Sequence, residues 1–148
     1  MKYFFALSLL VSLTASAQTE EEKVKAPILV LFDGMRKSDS SMIRAAFAPT
    51  AVLQTVAKNK EGVVSVRTDA VNDFVLSVTK PHTDIYDERI TFEMIKIDAD
   101  LATVWTPYKF YVGEKFSHCG VNSFQLVRIN GAWKIQYIID TRRREGCL

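Results

Sequence analysis

The stretch NSFQLVRINGAWKIQYII, residues 122–139, decides the fold, because two alternating apolar segments flank its Asn130-Gly131 pair. An Asn-Gly pair is typical of a two-residue type I′ turn, since both of its residues tolerate a positive φ angle. Such a turn joins two antiparallel strands, and a tight one pairs Ile129 with Ala132. The stretch therefore predicts a long β-hairpin near the C-terminus.

The chain before this hairpin continues the same pattern. From residue 85 onward it is rich in β-branched and aromatic residues, with further turn signals at 99–100 and 113–114. We therefore expect four long strands in an antiparallel meander. Tight turns throughout would place Phe124 opposite Tyr137 and Asn122 opposite Ile139. They would also place one set of residues on the core face: Ile90, Phe92, Met94, Trp105, Tyr111, His118, Asn122, Phe124, Leu126, Trp133, Ile135, Tyr137 and Ile139.

The opposite face of this sheet mixes apolar and polar residues, among them Tyr108, Val121 and Asp140. It is too polar for a core and too apolar for an ordinary solvent-facing surface. We interpret it as a subunit interface. On this face Asp140 is expected to form an ion pair with Lys134 or an arginine.

The N-terminal half is predominantly helical in pattern. Apolar residues at spacings of three and four predict an amphipathic helix over 24–37, and shorter elements follow it. These are a helix over 42–47, strands over 51–57 and 62–67, and a helix over 71–78. Helices that precede a long antiparallel sheet cover one of its sides, which predicts an α+β domain.

The first seventeen residues have the pattern of a cleavable export signal. Lys2 gives a positive start, residues 4–13 are mainly apolar, and Ala15-Ser16-Ala17 is a small-residue cleavage site. The apolar segment is shorter than the roughly 20 residues that a membrane-spanning helix needs. We predict a signal peptide over 1–17, a flexible leader over 18–23 and one domain over 24–148. The mature chain would be periplasmic or secreted, without membrane insertion.

The charge of the chain excludes some partners. The sequence has 19 basic and 17 acidic residues, a net charge of +2, which gives no strong field for binding nucleic acid. With two histidines and no cluster of acidic residues at ligand spacing, we expect no metal site. The sequence has no glycine-rich phosphate loop, and we expect no cofactor.

Cys119 and Cys147 are the two cysteines of the chain. In an oxidising compartment a lone pair of cysteines more often forms a disulfide than stays reduced. The alternative is a buried Cys119 and a free Cys147 in a frayed tail.

The predicted elements, together with five short segments, resemble the nuclear transport factor 2-like superfamily. The segments are WTPYKFY (105–111), HCG (118–120), FQL (124–126), GAWKI (131–135) and DTRR (140–143). The resemblance is to exported bacterial members near the steroid-isomerase-like and polyketide-cyclase-like branches, including a group named for lumazine binding. It implies a cone-shaped domain with a pocket between the helices and a curved sheet, and dimers that form through the outer sheet face. The scaffold hosts several functions, so it implies no single activity.

The candidate site residues follow from the predicted core face and the loops. The expected ligand-pocket residues are Trp105, Tyr111, His118, Asn122, Phe124 and Tyr137, although aromatic residues at alternating positions also build ordinary cores. His118 is a candidate general acid or base, or else a histidine hydrogen-bonded at a strand end. His82 and Asp84 could form an acid-base pair, or simply belong to a turn.

These observations leave three hypotheses for function. The first is an exported domain, not an enzyme, that binds a small, partly apolar ligand between helices and sheet. The second is an isomerase-like or cyclase-like enzyme that uses His118 or His82 as its base. The third is a dimeric interaction module without a ligand, acting through the mixed face.

Overall fold

A computed structural model describes residues 18–147, which form three helices and one seven-stranded sheet. The predicted signal peptide at 1–17 lies outside the described residues. The helices are α1 (Glu20–Lys37), α2 (Ser40–Ala46) and α3 (Val71–Thr79). The strands are β1 (Phe47–Lys58), β2 (Val64–Asp69), β3 (Tyr86–Ile90), β4 (Met94–Asp98), β5 (Leu101–Val112), β6 (Lys115–Ile129) and β7 (Ala132–Arg143).

The sheet has the strand order β2-β1-β7-β6-β5-β3, and β4 continues the β3 edge by pairing with β5. All pairs are antiparallel except that of β1 and β7, which is parallel. The predicted α+β class with a mainly antiparallel sheet is confirmed. Within the described range, no helix combines the length and apolarity that crossing a membrane requires.

Helix α1 begins at Glu20, inside the segment that the sequence predicted as a flexible leader over 18–23. The reason is a capping box. The Thr19 hydroxyl accepts from the backbone N–H of Glu22 at 3.2 Å, and the Glu22 carboxylate accepts from the backbone N–H of Thr19 at 2.9 Å. These bonds satisfy amides that a helix start otherwise leaves unpaired, and three glutamates in the first turn favour the helix dipole.

The core lies between α1 and one face of the sheet, which is the concave face, and the opposite face is the outer face. Helix α1 contributes the apolar stripe that its spacing predicted, Val24, Ile28, Leu31, Phe32 and Met35, and each of these is buried. The sheet contributes Val104, Phe124, Leu126, Trp133 and Ile135. The rings of Phe32 and Phe124 meet edge to face with centroids 6.3 Å apart.

The turn at Asn130-Gly131 has the predicted form, with φ angles of 50° and 79°, and Ile129 pairs with Ala132. Farther along the hairpin the predicted register is wrong. Gln136 is an extra residue in β7, which forms a β-bulge, so that Phe124 pairs with Ile138 and Asn122 with Asp140. The sequence predicted Tyr137 opposite Phe124 and Ile139 opposite Asn122, all on the core face. Tyr137 and Ile139 instead lie on the outer face.

A second β-bulge lies near the tip of β6, where Ser117 is the extra residue and His118 pairs with Phe110. Side chains alternate between the two faces of a strand, so one extra residue reverses the faces of all that follow. Tyr108 therefore lies on the concave face, and Trp105 and Tyr111 on the outer one. Trp105, expected in the core, is 40% exposed.

The predicted disulfide is confirmed. Cys119 and Cys147 are bonded, with their Cα atoms 5.9 Å apart. The bond ties the C-terminal residues to β6, and the alternative of a free Cys147 is wrong.

Candidate functional site

A cavity of about 410 Å³ opens between the helices and the concave face of the sheet. Met35 of α1 and Phe74 of α3 form part of its apolar wall, and strands β3, β5, β6 and β7 supply polar side chains. A smaller recess of about 80 Å³ shares Glu88, Asp140 and Arg142 with the cavity and reaches inward to the core. The site thus mixes apolar with polar and charged side chains, both in the cavity and at its inner end, the recess.

Two carboxyl groups occupy this inner end. Glu88 of β3 accepts a hydrogen bond from Nδ2 of Asn122 at 2.7 Å. Asp140 of β7 is only 8% exposed, and its Oδ2 accepts from Nε of Arg142 at 2.8 Å. The Tyr108 hydroxyl lies 3.4 Å from the same Oδ2. Five side chains from four strands therefore form one polar cluster.

Tyr108 reaches this cluster because Gly120 has no side chain. The two residues are cross-strand partners, and the Tyr108 hydroxyl donates to the backbone carbonyl of Thr141 at 2.9 Å. A Cβ on Gly120 would stand 1.8 Å from that carbonyl oxygen and 2.8 Å from the Tyr108 ring. A glycine at this position is therefore required for the ring to lie across β6 and extend to β7.

The cluster shifts the ionisation of its members. Burial raises the pKa of Glu88 to about 7, and the negative charge of Asp140 adds to this, while the Asn122 hydrogen bond and Arg142 oppose it. Burial also raises the pKa of Tyr108 beyond its ordinary range, assisted by the charges of Glu88 and Asp140. Glu88 consequently changes charge near neutral pH, which an ordinary glutamate does not.

His118 lies at the wall of the cavity. Its ring packs against Phe110 with centroids 5.0 Å apart, and Ser117 Oγ lies 3.0 Å from its Nδ1. Burial, followed by the charge of Arg142, lowers its pKa, so the ring is neutral at pH 7. The side chain can accept or donate a hydrogen bond toward the cavity.

His82 and Asp84 lie outside the cavity, in the connection between α3 and β3. One ring nitrogen of His82 contacts the backbone carbonyl of Asp84, and the other lies 3.1 Å from Ser38 Oγ. The ring also stacks on Tyr86 with centroids 4.1 Å apart. The Asp84 carboxylate is not the ring's partner, so these contacts give His82 a structural role in holding the loop.

The other expected pocket residues divide into two groups. Asn122 and Phe124 line the inner recess, and Phe124 is fully buried. Trp105, Tyr111 and Tyr137 lie on the outer face because of the two bulges. The Tyr137 hydroxyl donates to the Gln54 side chain at 2.6 Å, and Tyr111 packs under the guanidinium of Arg89.

Sequence reasoning missed Glu88, Tyr108, Asp140 and Arg142 as site residues. One signal was available for Glu88, because it alternates with Tyr86 and Ile90 and so places a carboxyl in an apolar row. Asp140 gave no such signal, since the bulge at Gln136 decides which face it takes.

Comparison with known proteins agrees with this architecture. A family model described as "Putative lumazine-binding" matches residues 19–137. No curated protein matches the chain. Three similar solved structures illustrate the fold at low sequence identity.

An NTF2-like protein of unknown function from Shewanella baltica has a TM-score of 0.61 and 15% identity, covering 87% of this chain and 100% of that chain. A protein with a cystatin-like fold from Nostoc punctiforme has a TM-score of 0.66 and 16% identity, covering 91% and 97%. A ketosteroid isomerase-like protein from Erwinia carotovora atroseptica has a TM-score of 0.62 and 16% identity, covering 84% and 98%. At such identities the likeness extends to the fold alone. The chain belongs to the family described as "Putative lumazine-binding", and its fold is like that of the NTF2-like proteins.

Proposed function

We propose that this chain is an exported domain that binds a small, partly apolar molecule in the cavity between α1, α3 and the concave sheet. The observation that carries the proposal is the cavity itself, about 410 Å³ with an apolar wall and a polar cluster at its inner end. Ligand sites in proteins commonly have this size and composition, with a few polar groups that fix the ligand's orientation.

The cavity favours a ligand with an apolar body and polar edges. Phe74 and Met35 offer an apolar wall, while Glu88, Asn122 and His118 offer hydrogen-bonding groups. Heterocycles satisfy both requirements. The description of the matching family makes lumazine a reasonable first probe.

The test is calorimetric titration of the chain with lumazine and related flat heterocycles. Ser77 lines the cavity mouth on α3, whereas its neighbour Leu76 is 58% exposed and does not line the cavity. We expect a ligand to bind the native chain and the control variant Leu76→Trp, and to lose binding in Ser77→Trp, whose indole would fill the mouth. Equal binding to both variants would place the ligand elsewhere and contradict the proposal.

Export is the second part of the proposal. Residues 1–17 have the charge, apolar segment and cleavage motif of a signal peptide. The Cys119–Cys147 disulfide is of the kind that persists in oxidising compartments. Mass spectrometry of the protein from its source cells should find a chain that starts at Gln18. A full-length chain retained in the cytoplasm would contradict export.

We also propose a homodimer through the outer sheet face. Two adjacent rows across four strands carry no charged side chain there, Trp105-Ser123-Ile139-Gln54 and Thr103-Gln125-Tyr137-Val52. Trp105 and Val52 are 40% and 38% exposed. An exposed patch of this composition is typical of a protein interface.

Acid-base catalysis is a second candidate function, favoured by the pKa of Glu88 at about 7. A carboxyl that titrates near neutral pH is suited to proton transfer. Glu88 is thus a better candidate base than His118, and His82 lies outside the cavity. The test is deuterium exchange from solvent into enolisable carbonyl compounds, followed by NMR. Exchange that Glu88→Gln abolishes would support an enzyme, and the absence of exchange across a broad panel would oppose it.

A further inference from the structure

Each donor side chain at the inner end of the cavity already makes at least one hydrogen bond within the protein. Nδ2 of Asn122 donates to Glu88 at 2.7 Å, and Nε of Arg142 donates to Asp140 at 2.8 Å. The Tyr108 hydroxyl donates to the carbonyl of Thr141 at 2.9 Å. The hydrogen bonds found within residues 18–147 also join Arg142 Nη2 to Thr55 at 3.4 Å, and they leave three N–H groups of Arg142 and one of Asn122 open.

Three acceptor atoms at the inner end have no donor within the described chain. The hydrogen bonds found within residues 18–147 use Oε1 of Glu88 and Oδ2 of Asp140, and leave the second oxygen of each carboxyl without a protein donor. The same is true of Oδ1 of Asn122. All three residues line the recess of about 80 Å³. The protein thus presents three open acceptor atoms to one small space.

We propose that this recess binds a ligand group rich in N–H donors, such as a protonated amine, an amidine or the amino edge of a heterocycle. The inference rests on the proposed function of the cavity as a small-molecule site, and it names the chemical class of the ligand. None of the three oxygens is among the fully buried unpaired atoms of residues 18–147, so water reaches them, and an N–H-rich group would replace that water with donors held in place. A ligand that offers only acceptors would leave the three protein oxygens without donors.

Size agrees with such a head group. A water molecule takes about 30 Å³ of liquid volume, so the recess holds roughly two or three groups of that size. The planar end of an amidine fits within this space. The ring that carries it would lie in the wider part of the cavity, against Phe74 and Met35.

The charges around the recess also favour a cation or a neutral donor over an anion. The ionisable groups that face it are Glu88, Asp140, Asp69 and Arg142, and Asp69 is paired with Arg67 at 3.0 Å. Arg142 is paired with Asp140. Ionised Glu88 is then the charge without a cationic partner within the described chain, and an anionic ligand would meet its repulsion.

The ionisation of Glu88 gives the proposal a pH dependence. Its pKa of about 7 means that it accepts hydrogen bonds fully only above neutral pH. Tyr108 and Arg142 keep their charge states in this range. His118, with its pKa lowered, is neutral near pH 7 and takes up a proton only in acid, where it would also oppose a cation. Affinity for a cationic group should thus rise as pH rises through 7.

The experiment compares three probes of nearly identical shape, benzamidine, benzamide and benzoate, by calorimetry on the purified chain. We expect benzamidine to bind more tightly than benzamide, and benzoate most weakly. Benzamidine affinity should increase about tenfold between about pH 6 and about pH 8.5, as Glu88 ionises. Glu88→Gln should weaken benzamidine binding about 10- to 100-fold and remove the pH dependence. Glu93→Gln, on an exposed residue outside the cavity, is the control and should change neither.

Several outcomes would overturn the inference. Benzoate binding as tightly as benzamidine would do so, as would benzamidine binding that is indifferent to Glu88→Gln. If Glu88→Gln fails to fold, Asp140→Asn and the order of the three probes on the native chain decide instead. A further outcome would separate the inference from the proposed function. If Ser77→Trp weakens binding of heterocycles or benzoate, and benzamidine shows no such binding, the ligand is not donor-rich, but the cavity is still a small-molecule site. No binding by any probe or heterocycle would refute both.

Discussion

Replacing Glu88 with Gln should stabilise the folded chain at alkaline pH, although it removes a charged group from the candidate site. Burial raises the pKa of Glu88 from 4.5 to about 7 in the folded chain. The folded chain thus holds a proton on Glu88 at pH values where the unfolded chain has lost it. The free energy of unfolding accordingly falls as pH rises from about 4.5 to about 7, and stays lower above that.

The size of this effect follows from the two pKa values. A difference of one in pKa corresponds to about 1.4 kcal/mol, so the ionised carboxylate costs the native chain about 3 kcal/mol above pH 7. Glutamine keeps an oxygen that accepts from Asn122 and carries no charge at any pH. The variant should therefore match the native chain in acid and exceed its stability in base by about 3 kcal/mol.

The assay is urea denaturation of the native chain and Glu88→Gln at about pH 4 and about pH 8.5. Other titrating groups, His118 among them, affect both proteins alike and cancel in the difference. Glu114→Gln, at the exposed turn between β5 and β6, should show no comparable change with pH. A stability difference that does not depend on pH, or a Glu88→Gln chain less stable in base, would refute this reasoning.

Three further predictions concern the scaffold. Replacing both Cys119 and Cys147 with Ala should lower the free energy of unfolding by about 3 to 4 kcal/mol, because the disulfide closes a loop with a sequence separation of 28. A reductant should destabilise the native chain by the same amount, and an unchanged urea midpoint would contradict this. Gly120→Ala should lower the free energy of unfolding by about 3 kcal/mol or more, since the new Cβ would stand 1.8 Å from the carbonyl oxygen of Thr141. Native-like circular dichroism and an unchanged urea midpoint for this variant would contradict the described packing. Trp105→Glu should convert the proposed dimer to a monomer in sedimentation experiments, and a native chain that is monomeric at micromolar concentration would exclude that interface.

Local patterns predicted the three helices and most of the strands, but the first of the four strands expected after residue 85 is two short strands, β3 and β4. The apolar spacing of α1 and the turn residues Asn130 and Gly131 act through near neighbours, so the sequence shows them directly. The start of α1 was missed because the capping box of Thr19 and Glu22 precedes the apolar stripe.

The composition of the site could not be predicted in the same way. A two-residue turn defines the register near the turn, but a single bulge reverses the faces beyond it. The extra residues Ser117 and Gln136 carry no sequence signal that distinguishes them from regular strand positions. They move Trp105 out of the core and bring Asp140 into the cavity. The cluster therefore depends on long-range packing of the sheet against α1 and α3.

The central claim is that the cavity between the helices and the concave sheet binds a small molecule. The most direct test is NMR mapping of backbone amide shifts during titration with the flat heterocycles. We predict saturable shifts centred on Glu88, Asn122 and Asp140, with none of comparable size at Trp105 or Tyr137. Saturable shifts confined to the outer face, or no saturable shift with any heterocycle, would contradict the account.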